Sequence, residues 1–495
     1  MKTKMKPIKG SVVDQSITDF GKRALKRYAD EVNLERATPD LIDGLKPVAR
    51  RIMHGTSEVA RTQFTKSAQI VGHVMGTYHP HGDSSIYGAM VTMAQSTVPL
   101  IHGKGNWGTI LDNAAAMRYT NARLSHFGRL GFDSDYANKE VTSYVPNYDN
   151  RTIEPVSIPF PLPVILFGGD SGIGYGAACD LPSFTPESVA EVLKRLLAGE
   201  KLKPVDFAKI MKPVHKWGGE FVNTKENRKA WLNMFTTSKA SVQYQSPLKV
   251  DELKRTVTIN EWPSGLDPLK FTEWARGLSE TQEVYPSKGT SEFTIVMKKG
   301  YNTVQFEAYL KKIQTKTRVK ASYNINATKR TATITDGVVD YDVQLLSFSV
   351  PQLVVTWLKA RIEIEIKSLN YRIRKQGEAI AYSELLIFAA SKLEIIVPII
   401  KKSKQPKEDL MRKLKLTELQ ANQILDLTLR KLTRLDQDLI EQKRKEQLAY
   451  LKELKKILAK PKKKVSADID KALEAIAADR KYYASKDKQE LSLST

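Results

Sequence analysis

The sequence predicts a multidomain α+β protein with a long helical portion towards its carboxy-terminal end. Three observations carry that expectation. The chain has 495 residues, more than one ordinary hydrophobic core accommodates. Its apolar content of 41% suffices for several real cores. The residue pattern also changes character along the chain, from glycine-punctuated mixed segments to short strand-like runs and then to long helices.

Residues 1–30 read as a polar arm followed by a short helix. In residues 31–153, Pro39 and Pro47 break the helical runs into short pieces, as a helix-turn-helix region requires. After Gly82, Asp83 and Ser84 are candidate helix caps. Ile86, Met90 and Met93 then recur at helical spacing and are expected in a core. In residues 154–335, prolines cluster at 155, 159, 161 and 163, and runs such as Glu292–Val296 and Thr331–Thr335 have strand character.

Residues 336–495 turn helical. Val354, Leu358, Ile362, Ile366, Leu369 and Ile373 fall three or four apart. So do Leu432, Leu435 and Leu439, and then Leu448, Leu451, Leu454 and Leu458. A compact helical stretch, about 376–430, lies between the two arms. This predicts an antiparallel coiled coil carrying a knob, with an ordinary helical bundle as the alternative. The charged tail from Lys460 to Thr495 reads as a solvated end.

Lys and Arg number 78 against 55 acids, a net charge of +23. A polyanion is therefore the expected partner, bound with salt-dependent affinity. No segment approaches the roughly 18 uninterrupted apolar residues of a membrane helix. The single cysteine, Cys179, excludes an intramolecular disulfide and fits a reducing cytoplasm. The seven histidines show no zinc-ligand spacing in sequence, so no metal site is expected.

The most informative stretch is Ala114-Ala115-Ala116-Met117-Arg118-Tyr119-Thr120-Asn121-Ala122-Arg123, which follows Gly103-Lys104-Gly105-Asn106-Trp107-Gly108. A tyrosine hydroxyl has an ordinary pKa of about 10 and is a poor nucleophile when neutral. Adjacent arginines favour its phenolate and can stabilise a pentacoordinate phosphate. Two further blocks frame it. One is Lys66-Ser67-Ala68-Gln69-Ile70-Val71-Gly72, running to Tyr78-His79-Pro80-His81-Gly82-Asp83. The other is Arg36-Ala37-Thr38-Pro39-Asp40, continuing through Asp43-Gly44-Leu45-Lys46-Pro47 to Arg50-Arg51.

In order and spacing these blocks resemble the A subunit of type IIA DNA topoisomerases, the gyrase and topoisomerase IV family. Val145-Pro146-Asn147-Tyr148, Ser171-Gly172-Ile173-Gly174, Ile424-Leu425-Asp426-Leu427 and Leu429-Arg430-Lys431-Leu432-Thr433 extend the resemblance. It implies a winged-helix breakage-reunion domain at 31–153, a tower at 154–335 and a coiled coil with a dimerising gate at 336–495. Tyr119 becomes the nucleophile that forms a transient 5′-phosphotyrosyl link. Arg118, Arg36, Arg51, His79 and His81 are carried to its pocket, partly from the facing subunit. Lys46, Lys66 and Arg123 are expected on DNA, and Ile173 as a wedge entering the base stack.

The resemblance also implies magnesium and ATP, both held by a separate subunit with ATPase and Toprim domains. Asp133-Ser134-Asp135, Asp340-Tyr341-Asp342, Asp436-Gln437-Asp438 and Asp468-Ile469-Asp470 lack the Toprim context and are read as solvated acids. The expected assembly is a homodimer on double-stranded DNA, joined by that partner, in the cytoplasm. The chain ends without the family's β-pinwheel, as in bacteriophage topoisomerase subunits. Relaxation and unlinking are therefore expected rather than supercoiling. The rival reading is a non-catalytic DNA-bridging coiled-coil protein. The glycine loop Gly168 to Gly174 also resembles a dehydrogenase cofactor loop, but it lies in mid-chain. Ser84 keeps a hydroxyl of the family's quinolone bridge, whereas Gly88 removes its acidic partner.

Overall fold

Helix α1 (Ile17–Val32) is amphipathic and buries none of its residues; it runs into a short π-helical turn, Asn33–Ala37. The structure, a computed structural model, describes residues 16–133, 136, 138–169, 171–287, 291–335, 338–427 and 437–492. The described residues fall into two compact units. One draws on 1–132, 143–358 and 469–495, the other on 133–142 and 359–468.

The first unit opens with three helices on a small antiparallel sheet. Helix α2 (Pro47–Val59) has proline at its first turn, where a missing N–H is harmless. Strand β1 (Thr65–Lys66) leads into α3 (Ser67–Thr77), and α4 (Asp83–Ala94) follows. Strands β2 (Ile101–Lys104) and β3 (Asn121–Leu124) complete the sheet, in the order β1-β3-β2. The register sets Thr65 opposite Ala122 and His102 opposite Arg123. Ile86, Met90 and Met93 are buried as their spacing predicts, alongside Ile52, Met53, Ile70, Val71 and Val74. The cap differs from expectation. Gly82 occupies the N-cap of α4 without a side-chain bond, and Asp83 lies in the first turn.

A short helix α5 (His126–Leu130) is capped by Ser125, whose side chain accepts from the Gly128 N–H. Two hairpins follow: β4 (Tyr144–Pro146) with β5 (Ile153–Pro155), and β6 (Ser171–Ile173) with β7 (Ala178–Asp180). Helices α6 (Pro186–Leu197), α7 (Pro204–Ile210) and α8 (Lys225–Met234) come next. Strands β8 (Glu220–Phe221) and β9 (Lys239–Gln245) pair antiparallel. A second sheet holds β10 (Lys249–Asp251), β11 (Thr256–Ile259), β12 (Thr281–Pro286) and β13 (Phe293–Met297), with α9 (Pro268–Arg276) and α10 (Thr303–Lys316). Its core is aromatic, with Trp262, Phe271, Phe293 and Tyr309 buried together. Strand β14 (Val319–Asn324) joins the sheet ordered β6-β7-β14-β9-β8. Strands β15 (Asn326–Thr335) and β16 (Val338–Ser347) form a long antiparallel ribbon. The strands expected at 292–296 and 331–335 thus exist, within longer or slightly shifted elements.

Helix α11 (Val350–Ser391) continues into the second unit, which adds α12 (Leu393–Lys402), α13 (Pro406–Leu414), α14 (Glu418–Leu425) and α15 (Gln437–Leu458). Helices α11 and α15 run antiparallel. Arg372 meets Tyr450, Gln376 Nε2 donates to the Gln447 carbonyl at 3.0 Å, and Arg444 pairs with Glu384 at 3.0 Å. Leu385, Ala389, Ile396, Ile399, Leu410, Ala421 and Ile424 form a separate small core. The leucines 432 and 435 and the block 429–433 lie outside the described residues. The last helix, α16 (Pro461–Ser492), returns residues 469–492 to the first unit.

One reading is corrected here. Asp468 is not a solvated acid: it is buried with Arg361, whose Nη2 lies 3.3 Å from its Oδ2. Arg361 also donates to Tyr136 Oη at 2.7 Å, and that hydroxyl donates to Glu365 at 2.5 Å. A buried guanidinium demands such acceptors, which here serve its two Nη atoms. Asp470 pairs with Lys194, and Asp342 is exposed.

Candidate functional site

Tyr119 sits in a turn immediately before β3, with 64% of its surface exposed. The residues around it are fixed. Tyr119 N–H donates to the Ala116 carbonyl at 2.9 Å. The next residue, Thr120, is fully buried. Its Oγ1 donates to Ser67 Oγ at 2.8 Å and lies 2.9 Å from Tyr87 Oη, while Ser67 N–H donates to the Thr120 carbonyl at 3.0 Å. Tyr87 Oη donates to the Ala115 carbonyl at 2.7 Å. Helices α3 and α4 therefore hold the backbone on both sides of a tyrosine ring that faces outward. Gly108 supports the same loop at φ 81°, where a side chain would strain the backbone. Arg118 places its guanidinium carbon 4.7 Å from the Tyr119 ring centroid.

A second cluster stands on α2. Arg50 and Arg51 are adjacent, so a helix points them about 100° apart. Arg50 turns inward. Its Nε donates to Asp43 Oδ2 at 2.6 Å, and its Nη2 to Asp43 Oδ1 at 3.0 Å. Asp43 also accepts from the N–H groups of Leu45 and Ile158, at 2.9 and 3.0 Å. That buried pair fixes the rotation of α2. Arg51 then reaches Glu154 on β5 through two bonds of 2.8 Å, and its Nη1 donates to His79 Nδ1 at 3.1 Å.

Arginine has only donors, so His79 Nδ1 is the acceptor and its proton resides on Nε2. Burial, then the charge of Arg51 and then His81, lower the His79 pKa to about 4. His79 is thus a neutral imidazole with its N–H on Nε2. The exposed His81 ring lies 4.4 Å from it, across Pro80.

The other expected residues are spread over the same unit. Arg36 is exposed in the π-helical turn. Lys66 is exposed at the entry to α3. Lys46 Nζ donates to the Ser171 carbonyl at 2.6 Å, tying α2 to the β6–β7 hairpin. Ile173 is 92% exposed at the last position of β6. Asn33 grips the hairpin: its side chain accepts from Tyr175 N–H at 2.8 Å and donates to the Tyr175 carbonyl at 3.0 Å. Arg123 differs from the rest. Its guanidinium lies 4.4 Å over the Phe64 ring and donates to the Thr62 carbonyl at 3.0 Å, so it braces the sheet.

The sequence model of the family described as the DNA gyrase/topoisomerase IV A subunit matches residues 36–473. The chain belongs to this family. The DNA gyrase A subunit of Staphylococcus aureus is 32% identical over 472 residues, covering 90% of this chain and 51% of that protein. Its counterpart in Staphylococcus epidermidis is 31% identical over 468 residues, covering 90% and 50%. The chain spans about half the length of the curated relatives it matches. Within this gyrase A-like chain, no described helix is long and apolar enough to cross a membrane.

Sequence reasoning missed several residues of the gyrase A-like site. Glu154, which holds Arg51, is 103 positions away from it. Ser67, Tyr87 and Thr120, which fix the flank of Tyr119, are neutral residues without a motif of their own. Nor does any sequence spacing show that folding gathers two histidines and an acid. His102, His126 and Asp479 bring three ligand atoms within 4.8 Å of one another.

Proposed function

We propose that this chain is the DNA breakage-reunion subunit of an ATP-dependent type IIA topoisomerase, with Tyr119 as its nucleophile. The observation that carries the reading is an exposed tyrosine on a rigidly held turn, with Arg118 against its ring. Tyr119 Oη attacks a backbone phosphorus. One P–O bond forms to tyrosine, the P–O3′ bond breaks, and the 3′-oxygen takes a proton while the phenol gives one up. One phosphodiester replaces another, so resealing needs no external energy. Arg118, Arg36, Arg51 and His81 contribute positive charge or hydrogen bonds to the phosphate, and the neutral His79 donates through Nε2.

Lys46, Lys66 and Ile173 are proposed to meet the duplex, Ile173 as a wedge that bends it. Arg123 is proposed to meet the duplex as well, from a guanidinium packed on Phe64. Winged-helix, tower and coiled-coil roles are proposed for 31–153, 154–335 and 336–495, after the arm and helix of 1–30. The proposed assembly is a cytoplasmic homodimer on double-stranded DNA, joined through the 376–430 knob. A separate ATPase and Toprim subunit binds ATP and supplies magnesium, which would stabilise the transferring phosphate. Relaxation and unlinking, rather than supercoiling, complete the proposal. Relaxed plasmid with ATP and both subunits tests that part, and efficient negative supercoiling would reject it.

The decisive experiment compares the wild-type chain with Tyr119→Phe on plasmid in the presence of the partner subunit. Denaturant should trap wild-type protein covalently on DNA 5′ ends and trap none of the variant. Equal adduct from both removes Tyr119 from the chemistry. No adduct from either supports a DNA-bridging protein instead.

A further inference from the structure

The proposed cleavage chemistry leaves one buried polar cluster unused. His102 lies on β2 and is completely buried. His126 begins α5, and its side chain is 37% exposed. Asp479 arrives from α16, more than 350 positions away in sequence, and is 1% exposed. Its Oδ1 lies 2.8 Å from His102 Nε2 and 2.6 Å from His126 Nδ1. The backbone N–H groups of His126 and Phe127 donate to the same carboxylate at 2.8 and 3.0 Å. The His102 ring is stacked against Tyr482 at 4.3 Å and met edge-on by Tyr483 at 5.5 Å. So enclosed, His102 Nδ1 has no hydrogen-bond partner, and Nε2 faces the Asp479 carboxylate.

We propose that His102, His126 and Asp479 bind one zinc-class ion, which staples α16 to β2 and α5. Two imidazoles and a carboxylate form a zinc donor set. Magnesium, which selects oxygen ligands, does not match it. The charge is also suitable. One carboxylate facing two imidazoles is a favourable seat for a dication. Zinc bonds of about 2.0–2.2 Å set tetrahedral donors about 3.4 Å apart, so the present 2.6 and 2.8 Å separations must widen by roughly 0.6–0.8 Å. The partly exposed His126 can give its share of that movement, and the rest falls on the Asp479 carboxylate. The ion would brace β2, and through the His102–Arg123 register also β3, the strand that follows Tyr119.

The test uses the full chain, stripped with chelator and dialysed. Zinc is then titrated in competition with a chromophoric chelator, and cobalt is added separately to read visible ligand-field bands. One ion per chain, bound at about micromolar concentration or tighter, is expected, with a rise in melting temperature and low-symmetry cobalt bands. His126→Ala should fold, because that side chain is partly exposed, yet bind at least tenfold more weakly and lose the thermal response. Asp479→Asn should lose the cobalt bands. Excess magnesium should not displace zinc. No saturable uptake by the wild-type chain, or the same uptake by His126→Ala, overturns the site. Both readouts are independent of DNA cleavage, so failure of the cleavage proposal leaves this test intact.

Discussion

Arg51 and Glu154 form a two-point ion pair, with Nε–Oε2 and Nη2–Oε1 both at 2.8 Å. The pair joins α2 to β5 and leaves the third nitrogen of Arg51 directed at His79. Both side chains are mostly shielded, at 23% and 12% exposure, so solvent screening is reduced. Glu154 is therefore a positioning residue for Arg51, although it faces no phosphate in the proposed mechanism.

Glu154→Gln keeps the size of the side chain but removes the charge that orients Arg51. Cleavage should slow by about ten- to a hundredfold, the scale of a misplaced catalytic group. Duplex affinity should change by no more than about threefold, because phosphate contacts elsewhere are kept. Single-turnover cleavage and a binding titration separate the two effects. An unchanged cleavage rate would place Arg51 outside the reacting pocket, whereas an equal loss in both would make Glu154 a folding residue.

The buried acid Asp40 makes stability depend on pH. Burial first, then the neighbouring charge of Asp43, push its pKa from 3.8 up to about 7. A carboxyl whose folded pKa is raised stabilises the fold fully below its unfolded value and loses that contribution as pH rises through the folded value. Wild-type stability should therefore carry a component that falls between about pH 4 and pH 7 and is level above that, on the order of a few kcal/mol. Asp40→Asn can still accept from the Ile42 N–H, as Oδ1 now does at 2.8 Å. It should lose the falling component. Urea midpoints at the two pH values provide the comparison, and parallel slopes would show that Asp40 does not titrate there.

What the sequence revealed follows its short-range patterns. Tyr119, Arg118, Arg51, His79 and His81 stand in motifs whose chemistry is local and can be read residue by residue. The stripe of Ile86, Met90 and Met93 was legible because a helix repeats about every 3.6 residues. Asp468 looked like a solvated acid because nothing nearby in sequence shows that Arg361 will enclose it. The contact of Arg123 with Phe64, which its guanidinium covers, was not legible because folding brings the two together. Glu154 and Asp479 act across 103 and 353 positions, a separation that no spacing rule spans.

Ser84 and Gly88 are both exposed on α4, four residues apart and so on one face. A Cβ at Gly88 would meet no atom within 4 Å, so an aspartate fits there without moving the helix. If the family's drug bridge needs a hydroxyl and a carboxylate on this face, wild type offers only the hydroxyl. Gly88→Asp should raise quinolone-stimulated cleavage about tenfold or more, the equivalent of one charge-assisted contact. Drug-stimulated linearisation of plasmid by the two proteins measures this. Identical dose curves would exclude a bridge through position 88.

The β6–β7 hairpin separates the proposed wedge, Ile173, from the scaffold that holds it. Ile173 is 92% exposed, so Ile173→Ala should alter stability by less than about 0.5 kcal/mol. Its loss should nevertheless reduce DNA bending and slow cleavage, because the side chain that opens the base step is gone. Gly172 has the opposite character. A Cβ there would fall 1.9 Å from the Ala37 carbonyl oxygen, within the turn that also carries Arg36. Gly172→Ala must therefore push the hairpin off that turn and strain the grip of Asn33 on Tyr175. It should lower both the melting temperature and bending. Energy transfer across an end-labelled duplex reports the bend, and a thermal melt reports the fold. Wild-type bending by Ile173→Ala would refute the wedge. Wild-type melting and bending by Gly172→Ala would show that the hairpin does not depend on its seat against Ala37.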